Sequence, residues 1–515
     1  MNTTKILSAI TGVLALSTLT SVAAKKNERP NIIFILSDDA ANTALSCYNG
    51  RYSSVFQTKN IDRIAREGVR FDNCYALNSI SVPSRAAILT GQYSQCNGVY
   101  TLDDKLDTAK VTFPKLFHDA GYSTAMVGKW HLVTEPQGFD YYFAMKGQGR
   151  YFNPLFNIKG QLDGATFEKS KGTEFKGRHI TSLIGDKSLE WLDGRDKSKP
   201  FMLLCHFKAP HRPCDPDPKF KNMFDGVTLP EPANLYETYE GKGKYNDFLR
   251  LRYEDMIKED LKTELPTNLS RDEFRKWAYQ IYMKDYLRCM AGVDENVGRL
   301  LDYLDKNGLA ENTIVIYTSD QGFFLGEHGW FDKRMMYEES INMPFVMRYP
   351  KAIKPNQVNK DIVTNADFAP TLLQMAGIKI PSFVQGKSFF RNAAGNTPTN
   401  WRKAFYYRYW MNNEIYHKTV AHFGIRTQDY KLIFYYGNPL GKTGSSVYPT
   451  TYTPEWELFD LKKDPQEMKN EYNNPEYAQV IKKLKKELLK LKKESKDTED
   501  EKMPEMQEIM NKYYW

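Results

Sequence analysis

The sequence predicts an α/β protein with a mostly parallel central sheet flanked by helices and a smaller C-terminal α+β subdomain. Three observations carry that expectation. Short, largely apolar runs recur, as in strands buried on both faces, which is the habit of parallel sheets. Polar clusters follow these runs, and helical stretches closed by glycine lie between them. After about residue 390 the chain turns aromatic-rich and strand-like.

The elements follow in order. Asn31 to Leu36 is a strand running into Ser37-Asp38-Asp39. Asn60 to Glu67 reads as a helix stopped by Gly68, and Val69 to Tyr75 as a strand that delivers the stretch Ser81-Val82-Pro83-Ser84-Arg85-Ala86-Ala87-Ile88-Leu89-Thr90-Gly91. Pro83 suits a first helical turn and Gly91 an exit. Ser81 is therefore expected just ahead of a helix N-terminus, where free N–H groups and the dipole attract an anion. Phe113 to Ala120 is a helix ended by Gly121, and Tyr122 to Val127 a strand running into Gly128-Lys129-Trp130-His131. Phe201 to Phe207 is a strand ahead of Lys208-Ala209-Pro210-His211-Arg212-Pro213. Residues 215 to 268, rich in Pro, Gly and charge, read as a surface insertion. Ser270-Arg271-Asp272-Glu273 is a capping box for a long helical region to about Leu304. Thr313 to Thr318 is a strand ending in Ser319-Asp320-Gln321-Gly322. Polar residues thus collect at the carboxyl ends of strands, where open α/β sheets bind ligands.

Beyond residue 390, Trp401 to Trp410, Phe423 to Tyr436 and Trp456 to Leu461 read as strands. Asn474-Pro475 opens a helix whose apolar stripe is Tyr477, Ile481, Leu484, Leu488 and Leu491, a docking face. The intervening lysines read as a solvated face, and the final tail as a segment that frays.

Residues 1–24 read as a targeting segment: Lys5, the apolar stretch Ile6 to Leu19, and the small-residue site Ser21-Val22-Ala23-Ala24. The apolar stretch is short for a membrane span, and no cysteine follows it to carry a lipid. The mature protein is expected to be soluble and exported, periplasmic or secreted, with residues 25–390 as catalytic domain and 391–515 as subdomain. The six cysteines (47, 74, 96, 205, 214, 289) show neither C-x-x-C nor zinc spacing, which leaves buried thiols and disulfides both open. A formal charge of +8 on 515 residues suits a polyanionic substrate, although much of the lysine lies in the last fifty residues. No nucleic-acid partner and no membrane span are expected.

Asp38, Asp39 and Asp320 put carboxylates at the ends of two strands, and Gln321 adds an amide oxygen. Such hard oxygen ligands suit Ca²⁺ or Mg²⁺ better than zinc. Arg85, Lys129, His131, His211 and Lys333 form a cationic or proton-carrying set.

The stretch from Ser81 to Gly91 resembles the signature of the type I sulfatases, in which Cys or Ser is followed by x-Pro-Ser-Arg and then by Leu-Thr-Gly. The resemblance runs from Asn31 to the closing Leu458-Phe459-Asp460-Leu461-Lys462-Lys463-Asp464-Pro465 stretch. It implies the alkaline-phosphatase-like fold. It also implies that a sulfatase-maturating enzyme oxidises Ser81 to formylglycine (3-oxoalanine), an aldehyde that hydrates to a diol. One Ca²⁺ is implied at Asp38, Asp39, Ser81, Asp320 and Gln321, the last standing where the family most often has Asn or His. By the same resemblance Arg85 and Lys129 hold the hydrated aldehyde, and Lys129, His211 and Lys333 contact the sulfate. A diol oxygen then attacks sulfur while His211 protonates the departing sugar oxygen, and His131 assists the release of sulfate.

Gly329-Trp330-Phe331-Asp332-Lys333-Arg334 resembles the Asp-Lys-Arg triplet of N-acetylglucosamine-6-sulfatases, which implies that Asp332 and Arg334 bind sugar hydroxyls. His422, ahead of Phe423-Gly424-Ile425-Arg426, resembles the histidine that the C-terminal subdomain adds to that pocket. The expectation is an exported N-acetylglucosamine-6-O-sulfatase of glycosaminoglycan or host-glycan breakdown. The alternatives are a sulfatase for a uronate-2-sulfate or galactose-type 6-sulfate, a phosphonate or phosphate monoester hydrolase, and a glycan-binding protein with unmodified Ser81.

Overall fold

In the computed structural model, which describes residues 29–442, 444 and 448–515, ten strands share one sheet. The expected targeting segment, residues 1–24, lies outside the described residues. The centre of the sheet is parallel: Asn31–Asp38 runs between Phe201–Pro210 and Thr313–Ser319, and Ser123–Lys129 continues the parallel run beside Phe201–Pro210. Phe345–Arg348 pairs antiparallel to Thr313–Ser319 and begins the outer part of the sheet.

The central strands are apolar throughout because both faces are covered, and side chains alternate between two cores. Ile33 and Ile35 meet the helices Ile180–Gly194 and Arg271–Lys306. Ile32, Phe34 and Leu36 face Ser81–Thr90, Phe113–Asp119 and Phe368–Met375. The long helix starts at the expected capping box: the Glu273 N–H donates to Ser270 Oγ at 3.4 Å, and the Ser270 N–H donates to the Glu273 carboxylate at 2.9 Å. The carboxyl ends of these strands therefore carry Asp38, Lys129, His211 and Asp320 to one edge.

Several expectations change. The stretch from Val69 to Tyr75 forms two short strands, Val69–Phe71 and Cys74–Tyr75, in different sheets. Residues 215–268 are no surface insertion: Leu235, Tyr245, Leu249, Leu251 and Tyr253 are buried, and Tyr245 Oη donates to the Glu457 carboxylate of the C-terminal sheet at 3.0 Å. Phe423 to Tyr436 is two strands, His422–Thr427 and Tyr430–Tyr435, paired as a hairpin.

The C-terminal sheet is a four-stranded antiparallel meander of Ala404–Tyr409, His422–Thr427, Tyr430–Tyr435 and Glu455–Asp460. One face, with Tyr407, Tyr409, Ile433, Tyr435 and Phe459, packs on Trp330, Met336 and Tyr337 of the main domain. The other, with Tyr406, Phe423, Phe434, Trp456 and Leu458, is covered by Leu484 and Leu488 of the helix Ala478–Glu494. Two of the expected solvated lysines are buried. Lys485 Nζ sits 4.3 Å from the Trp456 ring centroid and donates to Tyr472 Oη at 2.8 Å, and Lys492 Nζ lies 2.9 Å from Asp500. The tail does not fray either, because Met506, Ile509 and Tyr514 are buried against the same sheet. All six cysteines are free thiols. Among the described residues no helix is long and apolar enough to cross a membrane.

At the corner where helix and sheet meet, the buried Arg408 guanidinium pairs with Asp497 at 2.8 Å and Asp500 at 2.7 Å and stacks 3.5 Å from the Trp410 centroid. Removing one side of such a buried pair costs about 3–5 kcal/mol. Arg408→Met should lower the unfolding midpoint accordingly in urea titration. Lys482→Ala, on the exposed side of the same helix, should stay within about 0.5 kcal/mol of wild type.

Candidate active site

Ser81 opens the helix Ser81–Thr90 as its first residue, with Ile80 extended in the cap position, so it lies one step further in than expected. The helix is wedged wholly inside the protein, and its signature residues hold it there. Ser84 Oγ donates to the Asp320 carbonyl and accepts from Asn365 Nδ2. Arg85 Nε donates to Asp320 at 3.0 Å, and Arg85 Nη1 to the Lys129 carbonyl at 2.7 Å. Gly91 closes the helix with φ 66°, and Gly128 (φ 115°) lets the strand pass so near the His206 carbonyl that a Cβ would collide with it.

Ser81 is 2% exposed, at the floor of a cavity of about 310 Å³. Its Oγ donates to Asp38 at 3.2 Å, and Asp38 in turn accepts from Lys129 Nζ. Lys129 also reaches Gln148 Oε1 at 2.9 Å, while Lys333 Nζ donates to Asp39 at 2.8 Å. The Asp39 N–H donates to Asp320 at 3.2 Å. His211 Nδ1 lies 2.7 Å from the Arg212 carbonyl and its Nε2 3.8 Å from Asp39. His131, Asp39, Asp332 and Arg334 all hold positive φ, between 59° and 93°. For residues with side chains this conformation costs of order 1–3 kcal/mol each.

The carboxylates respond unequally to burial. It pushes all of them up, but the charges of Lys129, Arg85 and Lys333 hold Asp38 well below the usual range. Asp39 stays raised despite Lys333, and Asp320 is pushed up to about 7 by burial and by the charge of Asp38. Burial and Lys129 drive His131 and His211 well below an ordinary histidine, so both rings are neutral at pH 7. Burial lowers Lys333, but Asp332 and Asp39 more than restore it.

The acidic end fits a hard cation. Ligand atoms of Asp38, Asp39 and His211 lie within 4.8 Å of one another, and the acidic group is buried. Gln321 donates through Nε2 to Asp39, which leaves its Oε1 buried without a hydrogen-bond partner. An orphaned buried amide oxygen beside three carboxylates is accounted for by a cation that takes oxygen ligands.

The cavity wall carries Asp332, Lys333 and Arg334, with Arg334 Nε 3.3 Å from Asp332. The expected His422 is elsewhere. It is buried in the C-terminal sheet, its ring 5.7, 5.5 and 5.1 Å from the centroids of Tyr407, Tyr409 and Tyr435, and its Nδ1 2.8 Å from the Val420 carbonyl. The strand pairing opposite Tyr409 and Tyr435 fixes that orientation. The histidine that the C-terminal part of the chain adds to the cavity wall, beside His211, is His417, whose Nε2 lies 3.4 Å from Asp332 and whose Nδ1 lies 2.6 Å from Glu414. Sequence reasoning also passed over Gln148 and Arg212. Nothing local marks Gln148, which the fold alone brings to Lys129.

This chain belongs to the sulfatase family: the family model described as Sulfatase matches residues 30–378, and that of the N-sulphoglucosamine sulphohydrolase C-terminal region matches residues 326–494. It is 43% identical over 536 aligned residues to the N-acetylglucosamine-6-O-sulfatase of Bacteroides thetaiotaomicron, covering 95% of this chain and 91% of that protein. A solved structure of a protein in complex with its substrate D-glucosamine-2-N,6-O-disulfate matches with TM-score 0.83 at 42% identity, covering 92% of this chain and 100% of that one. The N-acetylglucosamine-6-sulfatase of Capra hircus is 29% identical over 404 residues, covering 74% of this chain and 66% of that protein.

The two histidines separate by experiment. His417→Ala should lower kcat/KM toward a sulfated sugar by roughly ten- to a hundredfold, since a hydrogen bond involving a charged group is worth about 1.5–3 kcal/mol. His422→Ala should instead cost roughly 2–4 kcal/mol of stability through the cavity it opens among the tyrosines. Steady-state kinetics beside thermal unfolding reads both.

Proposed function

We propose that this sulfatase removes the 6-O-sulfate of N-acetylglucosamine, releasing inorganic sulfate during glycosaminoglycan breakdown outside the cytoplasm. The observation that carries the reading is the placement of Asp332 and Arg334 on the cavity wall above Ser81, flanking Lys333. Relatives named for N-acetylglucosamine-6-sulfate support it, and residues 1–24 support export.

Each residue has a task that its surroundings permit. Lys333 keeps its charge because Asp332 and Asp39 flank it, and with Lys129 it offers two ammonium groups to the three oxygens of a sulfuryl group. Arg85 fixes the Lys129 end of the site through the Lys129 carbonyl and Asp320. His211 donates from Nδ1 to the Arg212 carbonyl, which points Nε2 at the acidic cluster; an arriving anion offsets Lys129 and lets Nε2 hold a proton for the departing sugar oxygen. His131, neutral and with an unpartnered Nδ1, is suited to accept a proton. Asp332 accepts and Arg334 donates hydrogen bonds to adjacent sugar hydroxyls.

Asp38, Asp39, Asp320 and Gln321, with Ser81, would hold Ca²⁺, which supplies positive charge for the sulfuryl oxygens and lowers the pKa of an oxygen it binds. Oxidation of Ser81 to formylglycine by a separate maturating enzyme would supply a carbon able to carry two hydroxyls.

The test is hydrolysis of N-acetylglucosamine-6-sulfate beside galactose-6-sulfate, N-acetylgalactosamine-6-sulfate, a 2-O-sulfated uronate and phosphate and phosphonate monoesters. The first should be preferred, and Ser81→Ala should abolish its turnover. Asp332→Ala and Arg334→Ala should each lose about ten- to a hundredfold in kcat/KM, from roughly 1.5–3 kcal/mol per charged contact. Preference for another ester, or unchanged efficiency in both triplet variants, would sink the assignment.

Chelation gives an independent check, because an ion bound only by the folded protein stabilises it. Prolonged EDTA treatment should lower the melting temperature and the activity together, with Ca²⁺ restoring both. Full activity and an unmoved melting curve in metal-free protein would refute the cation site.

A further inference from the structure

Apolar side chains face solvent at the mouth of the Ser81 cavity. Tyr416 is 75% exposed and Ile257 49%, yet both line its wall. They come from distant parts of the chain, and the Arg250 N–H donating to the His417 carbonyl at 2.8 Å ties the two segments together. Large exposed apolar groups gathered at the rim of a polar cavity mark a contact surface.

The loop that carries Tyr416 is held in place while its ring is left outside. Glu414 accepts from the Tyr416 N–H at 3.0 Å and from the His417 N–H, and the Asn413 N–H donates to the Thr419 carbonyl at 2.7 Å. Burial pushes the Glu414 carboxyl up, but Arg334 and His417 outweigh it and leave it at about 2, so the anchor stays charged. An aromatic ring on such a pinned backbone loses little further freedom on binding.

The depth of the cavity gives that ring a direction. Asp332 and Arg334, which read ring hydroxyls in the function proposed above, are buried, whereas Tyr416 stands at the opening. A sugar with its hydroxyl edge enclosed has its anomeric side toward the mouth, so a neighbouring residue of the chain leaves past Tyr416 and Ile257.

We infer that Tyr416, with Ile257 beside it, seats the second sugar of an oligosaccharide whose non-reducing end carries the 6-sulfate, and so makes this chain selective for glycan ends over free monosaccharide. The inference rests on the N-acetylglucosamine-6-sulfate reading. The apolar C–H face of a pyranose lies on the tyrosine ring, and Ile257 shields the contact from water.

The test compares kcat and KM for 6-sulfated N-acetylglucosamine as a monosaccharide and as the non-reducing end of a disaccharide. Wild type should prefer the disaccharide by about tenfold in kcat/KM, carried by KM. Tyr416→Ala should erase that preference, Ile257→Ser should reduce it, and Tyr416→Phe should retain it. Thermal unfolding should be unmoved in the Tyr416 variants, because the ring is exposed. A wild type indifferent to the second sugar, or a Tyr416→Ala enzyme that keeps the preference, overturns the inference while N-acetylglucosamine-6-sulfate hydrolysis stands. Failure of wild type on both forms overturns that reading as well.

Discussion

The active end of this protein depends on mutual compensation among charges that water does not reach. Asp38, Asp39 and Asp320 are wholly buried, and Arg85, Lys129 and Lys333 nearly so. Any one of these charges alone would carry a desolvation penalty of several kcal/mol, and each is offset by an opposite charge within a few ångströms. The parallel sheet makes the arrangement possible, since neighbouring strands end at the same edge and each delivers its polar terminus there. The compensation is incomplete at Asp320 and Asp39, whose raised affinity for protons marks an excess of negative charge, and Gln321 Oε1 stands unpartnered beside them.

The smaller C-terminal sheet completes this edge. Tyr407 Oη accepts from the Ser79 N–H at 3.2 Å and donates to the Arg334 carbonyl at 2.8 Å, bridging the approach to Ser81 and the triplet around Lys333. Tyr409 Oη accepts from Arg334 at 3.1 Å. These tyrosines come from the sheet face that packs on Trp330, Met336 and Tyr337, so the apolar interface between the subdomains sets the position of the polar groups lining the cavity.

Much of this was legible in the chain because the signals are local. A buried parallel strand writes an apolar run, and the polar residues after it sit at the sheet edge, which is how Asp38, Lys129, His211 and Asp320 could be placed before any contact was seen. The misreadings share one physical origin, the neighbour supplied from far along the chain. His422 and His417 are five residues apart and chemically alike, and only the pairing of Tyr409 and Tyr435 with His422 buries one and leaves the other on the cavity wall. Lys485 and Lys492 looked solvated beside an apolar stripe. Trp456 and Tyr514 around the first, and Asp500 against the second, make burial tolerable. Residues 215–268 read as loose for want of periodicity, yet their tyrosines pack through hydrogen bonds such as Tyr245 to Glu457, which no spacing announces.

The segment from Met503 to Tyr514 bears on what the C-terminal sheet exposes. Trp456 donates its indole N–H to the Tyr513 carbonyl, and Lys485 donates to that of Tyr514, so residues 513 and 514 close the outer face of the C-terminal sheet. Without Tyr514, Phe434 and Trp456 lack part of their cover. A chain lacking that segment would keep every residue of its catalytic edge but leave an aromatic sheet face partly open to water, the kind of surface that chaperones retain and proteases find.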